Sequence, residues 1–244
     1  MKLTIYSYRY AHEILEHPKY AVAWAEIKDV LANAPLFSYP GKSRKNARLH
    51  VVQQVMNTYF DRRFAVDLGW EYHPLATRIK KSGLSADFRK QFDDLSIQAE
   101  VQFGNMSRWY SDIFKFQTAY SQRLIQLGLS IVPMGGVARV TDSNVVNYER
   151  AFRELPSAEL SITLPIMLIG LEPDESTPVV DLRKCGFPNG IPDITGKGKD
   201  ANRWRIVNAH LEGVAMENVG PESPTGHMPI VSVADAQLPN GEDA

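Results

Sequence analysis

The sequence predicts an α/β fold with a central mixed β-sheet flanked by helices. Three observations lead there. Residues 97–103 alternate apolar and polar side chains with a period of two, the mark of a strand. Residues 107–127 then repeat Trp109, Ile113, Phe116, Tyr120, Leu124 and Leu127 at steps of three and four, the mark of an amphipathic helix. Residues 164–171 are almost wholly apolar, as in a strand buried on both faces. Strand, helix and strand in alternation define an α/β core.

The remaining elements follow in chain order. Residues 2–8 have β propensity and open the chain as a strand. Residues 12–16 form a helical turn or two, closed by Pro18. Residues 20–31 carry Val22, Ala23, Ile27, Val30 and Leu31 at helical spacing. Residues 38–42 read as a turn. Residues 47–60 form a second amphipathic helix, and a Gly- and Pro-containing loop runs from 69 to 85. Residues 89–94 read as turn-like. Gly128 ends the long helix, and residues 129–133 form a short strand. Asp142, Ser143 and Asn144 supply N-cap chemistry for a helix reaching about Glu154. Residues 203–207 and 211–216 have the composition of strands. We expect one domain over residues 1–214, with recognition loops built into it, and an acidic, loop-rich tail over 215–244.

Composition narrows the function. The chain has 244 residues, 44% hydrophobic and 23% charged, which excludes bulk disorder and a fibrous repeat. Its net charge of −1 argues against a protein that coats nucleic acid or an anionic membrane non-specifically. The charge is uneven, however. Residues 215–244 contain no Lys or Arg but hold Glu217, Glu222, Asp235, Glu242 and Asp243, which leaves a net of +4 over residues 1–214. Local basic runs stand at Lys42, Arg44, Lys45 and Arg48, and at Arg78, Lys80 and Lys81. The one thiol, Cys185, permits no intrachain disulfide, which fits a reducing compartment. The first residues lack the apolar region of a signal peptide, and no apolar run is long enough to span a bilayer. A cytoplasmic protein without membrane contact is expected.

One constellation carries chemistry. Glu100 and Gln102 share the polar face of the strand at 97–103. Asp87 lies upstream and approaches Glu100 if residues 86–88 pair with that strand. Two carboxylates fixed side by side repel unless a cation lies between them. Mg²⁺ is a natural partner, since it takes one or two carboxylates together with waters and phosphate oxygens. On spacing alone, the same residues also fit a half-exposed strand with ordinary polar side chains.

The surrounding sequence decides between these. Ser85-Ala-Asp-Phe-Arg-Lys90, then Ala99-Glu-Val-Gln-Phe-Gly-Asn105, then the long helix and Leu129-Ser-Ile-Val-Pro-Met134, resembles the BglII/BstYI family of type II restriction endonucleases. Asp142-Ser-Asn-Val-Val-Asn-Tyr-Glu149 and Leu164-Pro-Ile-Met-Leu-Ile-Gly-Leu-Glu-Pro173 fit the same family in the same order. The clear likeness covers residues 86–173 and fades toward the N-terminus. It is the Glu-x-Gln variant of the Asp…(Asp/Glu)-x-Lys nuclease motif, with Gln102 in the Lys place.

The resemblance implies a restriction-endonuclease-like core and a homodimeric, Mg²⁺-dependent enzyme that cuts double-stranded DNA within a palindrome centred on GATC, leaving 5′-phosphate ends. A cognate DNA methyltransferase is implied in the host, though not as a physical partner. By the same resemblance, Asp87, Glu100 and the Val101 carbonyl are metal ligands, and Gln102 positions the attacking water. The Asp-to-Glu spacing is longer than the family pattern, so Asp93 and Asp94 are alternatives to Asp87. Asp87 is preferred because the Asp-Phe pair and the following Lys match. Glu71 and His73 are further candidates beside the metal. Asn105, Asp142, Ser143 and Asn144 are the expected base-reading residues, since Asn can pair with an adenine edge and Asp can accept from cytosine. Lys42, Arg44, Lys45, Arg48, Lys80, Lys81 and Arg108 are the candidates for phosphate contacts. Two other readings stand beside this one: a structure-selective repair nuclease on the same fold, and a non-catalytic sequence-specific DNA-binding protein.

Overall fold

The structure is a computed structural model, and it describes residues 1–225. Its centre is a six-stranded mixed sheet. The strands are β1 (Lys2–Tyr8), β3 (Glu71–Tyr72), β4 (Phe88–Phe92), β5 (Leu95–Val101), β6 (Leu127–Pro133) and β7 (Ile166–Glu172), in the order β1-β7-β6-β5-β4-β3. β5, β6 and β7 are parallel neighbours, while β1, β4 and β3 join antiparallel. A small parallel pair, β2 (Leu36–Ser38) and β8 (Val179–Asp181), lies apart from this sheet.

Among the described residues, eight helices surround the strands: α1 (Ala11–Glu16), α2 (Ala21–Ala32), α3 (Gln53–Phe60), α4 (Met106–Ser121), α5 (Gly135–Thr141), α6 (Tyr148–Glu154), α7 (Ile191–Thr195) and α8 (Asp200–Leu211). A π-helical stretch, Asp61–Asp67, continues α3. α4 is the crossover between β5 and β6, which parallel strands require. The sheet separates two hydrophobic clusters. Ile97, Ala99, Val101 and Phe103 point to the larger one, with residues of α2, α3 and α8. Trp109, Ile113 and Phe116 of α4 fill the other, with Tyr148 and Ala151 of α6. Among the described residues no helix is long and apolar enough to cross a membrane.

Several elements differ from expectation. α3 begins at Gln53 rather than 47. Val51 bridges Ser38, and the Val52 N–H donates to Phe37, so the β-branched pair extends the chain instead of coiling it. Residues 89–94 are not a turn. They form β4 and a tight reversal at Asp93, whose φ is +54°. The long helix ends at Ser121 rather than 127, and Arg123 turns the chain at φ +58°.

Gly128 is not a helix stop but part of β6. A Cβ there would lie 3.0 Å from the Phe116 ring, so its lack of a side chain lets α4 pack closely on the sheet. The helix expected after Asp142 starts later, because Asn147 is the cap and accepts from the Arg150 N–H. Residues 203–207 and 211 are helical, not strand, in α8, and residues 216–218 form a short 3₁₀ turn. Trp204, Ile206 and Val207, strand-like in composition, are buried in a helical frame. Met216 and Val219 pack into the larger cluster. Asp235, Glu242 and Asp243 of the expected tail lie outside the described residues.

Candidate active site

Strand β5 carries Glu100, and the elements on either side of it bring Asp87 and Asp112 close. Its period-two alternation turns Gln98, Glu100 and Gln102 away from the larger cluster and toward α4. That face is not half-exposed. Gln98 and Glu100 are only 0% and 1% exposed, and Lys115 of α4 closes over Glu100. Buried polar groups need partners. Gln98 Nε2 donates to Glu100 Oε1 (3.0 Å), and Lys115 Nζ of α4 donates to Glu100 Oε2 (2.9 Å). The same ammonium reaches Asp112 Oδ1 at 2.8 Å, one helical turn earlier.

Asp87 stands just before β4, where the β4–β5 ladder ends. Its Oδ2 accepts the Val101 N–H at 2.8 Å, which fixes the carboxylate beside the Glu100–Val101 peptide. The antiparallel pairing of Phe88 with Ala99 sets this register. Asp93 and Asp94 lie at the opposite end of the hairpin, and Asp94 is bound by Lys19 Nζ and Tyr20 Oη, both at 2.7 Å. The hairpin therefore brings Asp87, not Asp93 or Asp94, to Glu100.

Gln102 is held at both ends of its amide. Nε2 donates to Asp112 Oδ2 (2.8 Å), and Oε1 accepts the Gly104 N–H (2.8 Å). Each amide nitrogen carries two hydrogens, so one donor of Gln102 is left for another partner. Around this set lies a cleft of about 430 Å³, lined also by Gln53, Asn57, Asp61, His73 and Arg108.

The electrostatics are dominated by crowded carboxylates. Burial, and then Asp112, push the Asp87 carboxyl up to about 6, against the opposing pull of Lys115 and the Val101 N–H. Burial, with Asp87 and Asp112, raises Glu100 well above the usual carboxylate range. Asp61 is raised by burial and by Asp87. Burial disfavours the Lys115 charge, but Glu100 and Asp112 outweigh it and raise its pKa.

These donors fit a hard divalent cation. The carboxylates of Asp87, Glu100 and Asp112 and the Val101 carbonyl offer oxygen donors, and the acids outnumber the one ammonium set among them. Among the described residues no three carboxylate, imidazole or thiolate groups already surround one point, and the cation between Glu100 and Asp112 is Lys115.

The predicted reading residues line a second cleft, of about 520 Å³, that shares Gln53, Asn57 and Arg108 with the first. Asn105 caps α4 by accepting the Arg108 N–H (3.0 Å) and bridges Val145. The Val146 N–H donates to the Gly104 carbonyl (2.9 Å), so the exposed turn Asp142, Ser143 and Asn144 is tied to the end of β5. Arg108 and Lys45 are exposed. Lys42 is half-buried, and its ammonium is bound to the carbonyls of Val51 and Thr141, which anchors the loop carrying Lys45. His73 lines the catalytic cleft and stacks on Tyr72 at 3.8 Å, while Glu71 is exposed on β3, opposite Arg89. Cys185 packs near Met216, and burial pushes its thiol up to about 12, which makes it a poor nucleophile.

Asp112, Lys115, Asp61 and Asn57 are not evident from the motif. Asp112 did leave a signal. It sits at the edge of the Trp109–Ile113–Phe116 stripe, where an unpaired acid would be costly.

The family model for restriction endonuclease BglII/BglIII matches residues 3–171. The chain belongs to this family. It is therefore a type II site-specific deoxyribonuclease, and the match extends the recognisable region from residue 86 back to β1. Solved structures that share its fold include two of BglII. The crystal structure of restriction endonuclease BglII complexed with a DNA 16-mer has 23% sequence identity and a TM-score of 0.61, over 72% of this chain and 79% of that one. Free BglII has 23% identity and a TM-score of 0.50, over 72% of this chain and 82% of that one. Comparison with curated proteins finds no match.

Proposed function

We propose that this enzyme hydrolyses double-stranded DNA at a short palindrome centred on GATC, with Mg²⁺, leaving 5′-phosphate and 3′-hydroxyl ends. The observation that carries this reading is the Asp87–Val101–Gln102 arrangement beside Glu100, in a cleft that opens onto a second one lined by Asn105 and Asp142–Asn144. Asp87, Glu100 and the Val101 carbonyl would hold Mg²⁺. When bound, the ion polarises the scissile phosphate and lowers the pKa of a bound water. Gln102 orients the attacking water through its remaining N–H. Asn105, Asp142, Ser143 and Asn144 read base edges, and Lys45 and Arg108 contact phosphates.

A palindrome calls for two-fold symmetric protein, so the enzyme works as a homodimer. Tyr110 and Phe114 of α4 and Phe152 of α6 support this, because all three are large and exposed (46%, 62% and 43%). The single thiol fits a cytoplasmic enzyme. A cognate methyltransferase would protect the host's own sites.

The test is to incubate the protein with unmethylated plasmid DNA and Mg²⁺ and to sequence the ends. Fixed ends at one palindrome are expected. Asp87→Ala and Glu100→Ala should each lower cleavage at least a thousandfold while keeping sequence-specific binding. Cutting that follows mismatches or branches instead of sequence would make it a repair nuclease. A specific gel shift with no cut product would make it a binding protein.

A further inference from the structure

The catalytic cleft contains a residue that the nuclease reading does not use. Lys115 comes from α4, not from the strand, yet its ammonium touches two carboxylates of the site, Glu100 at 2.9 Å and Asp112 at 2.8 Å. Its side chain is only 16% exposed, and Glu100 and Asp112 are 1% and 4% exposed. Contacts this dry are weakly screened by solvent. Asp112 in turn fixes Gln102. The chain of contacts therefore runs Lys115, Asp112, Gln102, and its far end is the group that orients water.

Gln102 is neutral, so the strand supplies no cation beside Glu100. α4 does. Resting on the nuclease reading above, we propose that Lys115 is a positioning residue for hydrolysis: it sets Gln102 through Asp112, and it competes with the divalent ion for Glu100. The two roles pull metal affinity and turnover in opposite directions. An ammonium within bonding distance of a metal ligand repels the incoming ion. The same ammonium keeps Asp112, and with it the Gln102 amide, in place for the chemical step. A lysine that merely pinned α4 to β5 would do neither. Its loss would loosen Glu100 and weaken metal binding.

Mn²⁺ binding to the EDTA-treated protein, followed by calorimetry without DNA, separates these cases. Lys115→Met keeps the length and removes the charge. It should bind Mn²⁺ at least tenfold more tightly than the wild type, and Asp87→Ala should abolish the signal. At saturating Mg²⁺, Lys115→Met should lose at least a hundredfold in kcat with KM for DNA unchanged. Lys115→Arg, which keeps the charge, should hold Mn²⁺ affinity within threefold of the wild type. If Lys115→Met does not fold, Lys115→Gln carries the same expectation. Equal or weaker Mn²⁺ binding by the neutral variant overturns the proposal, as does wild-type kcat. No Mn²⁺ binding to the wild type, or binding that survives Asp87→Ala, overturns it too. A wild type that binds Mn²⁺ but cuts no DNA refutes the nuclease reading, while the metal titration still judges the competition.

Discussion

Gly104 shows how tightly the site is set at the level of single residues. Its N–H holds Gln102 Oε1, and a Cβ at this position would come within 2.4 Å of that same oxygen. The clash falls on the end of a flexible side chain, so Gly104→Ala should displace Gln102 without unfolding the protein. We expect kcat to fall at least tenfold and thermal stability to change by less than about 1 kcal/mol, measured by single-turnover cleavage and by melting. Asp87 gives a second expectation. Its folded pKa of about 6 lies above the ordinary 3.8, so the folded protein holds this proton where the unfolded chain has lost it. The associated stability is full below the unfolded value and is lost as pH rises through the folded one. Asp61 and Glu100 are shifted the same way. The melting temperature in EDTA should therefore drop by a few degrees between pH 5 and 7. On the proposed metal reading, Mg²⁺ should recover part of the loss at pH 7, because an ion held only by the folded state stabilises it. Asp87→Asn should flatten the profile, and an unchanged profile in that variant would refute the assignment. The motif made Asp87, Glu100 and Gln102 legible, since their spacing survives in a single strand and its neighbour. Asp112 and Lys115 were not legible as site residues, because only the crossing of α4 over β5 brings them to Glu100.

The β4–β5 hairpin is the element that decides which acid lies beside Glu100. Its register pairs Phe88 with Ala99 and leaves Asp87 beside Val101, while Asp93 and Asp94 close the turn. Asp93 holds φ +54°, a conformation glycine adopts without strain. Asp93→Gly should therefore melt at or slightly above the wild-type temperature and cut DNA within twofold of it. A large loss of cleavage would return Asp93 to the site. The sequence could not decide this, because Arg89–Asp94 is polar apart from Phe92 and its strand character comes from pairing with β5. The same cause explains other boundaries. Residues 203–207 carry β-branched and aromatic side chains, yet they coil because α8 has a face of the larger cluster to cover. The triplet at 142–144 has good capping chemistry, but Asn147 takes the role. That leaves Asp142, Ser143 and Asn144 exposed beside the second cleft.

At the scale of the whole molecule, the proposed cut on both strands of a palindrome calls for two copies. Phe114 is 62% exposed on the outer face of α4, and Tyr110 lies on the same helix, tied to Arg150 and Glu154 of α6. If this face is the dimer seam, Phe114→Asp should weaken dimerisation at least a hundredfold by sedimentation, with the monomer's melting temperature nearly unchanged. A dimer of wild-type strength would place the seam elsewhere. The net charge of −1 fits such an enzyme: an acidic catalytic cleft is expected, and basic side chains are needed only along the DNA path. The sequence by itself determined the α/β class, the strand at the centre of the site and its acidic motif. These are local properties, written in a period of two, a period near 3.6 and fixed spacings along one segment. The tertiary structure decided which acid meets Glu100, that the polar face of β5 is dry, and that a helix supplies the cation there. Those are contacts between separate elements, 14 and 15 residues apart along the chain. They are set by strand register and by the closeness of α4 to the sheet that Gly128 allows, and no local pattern encodes them.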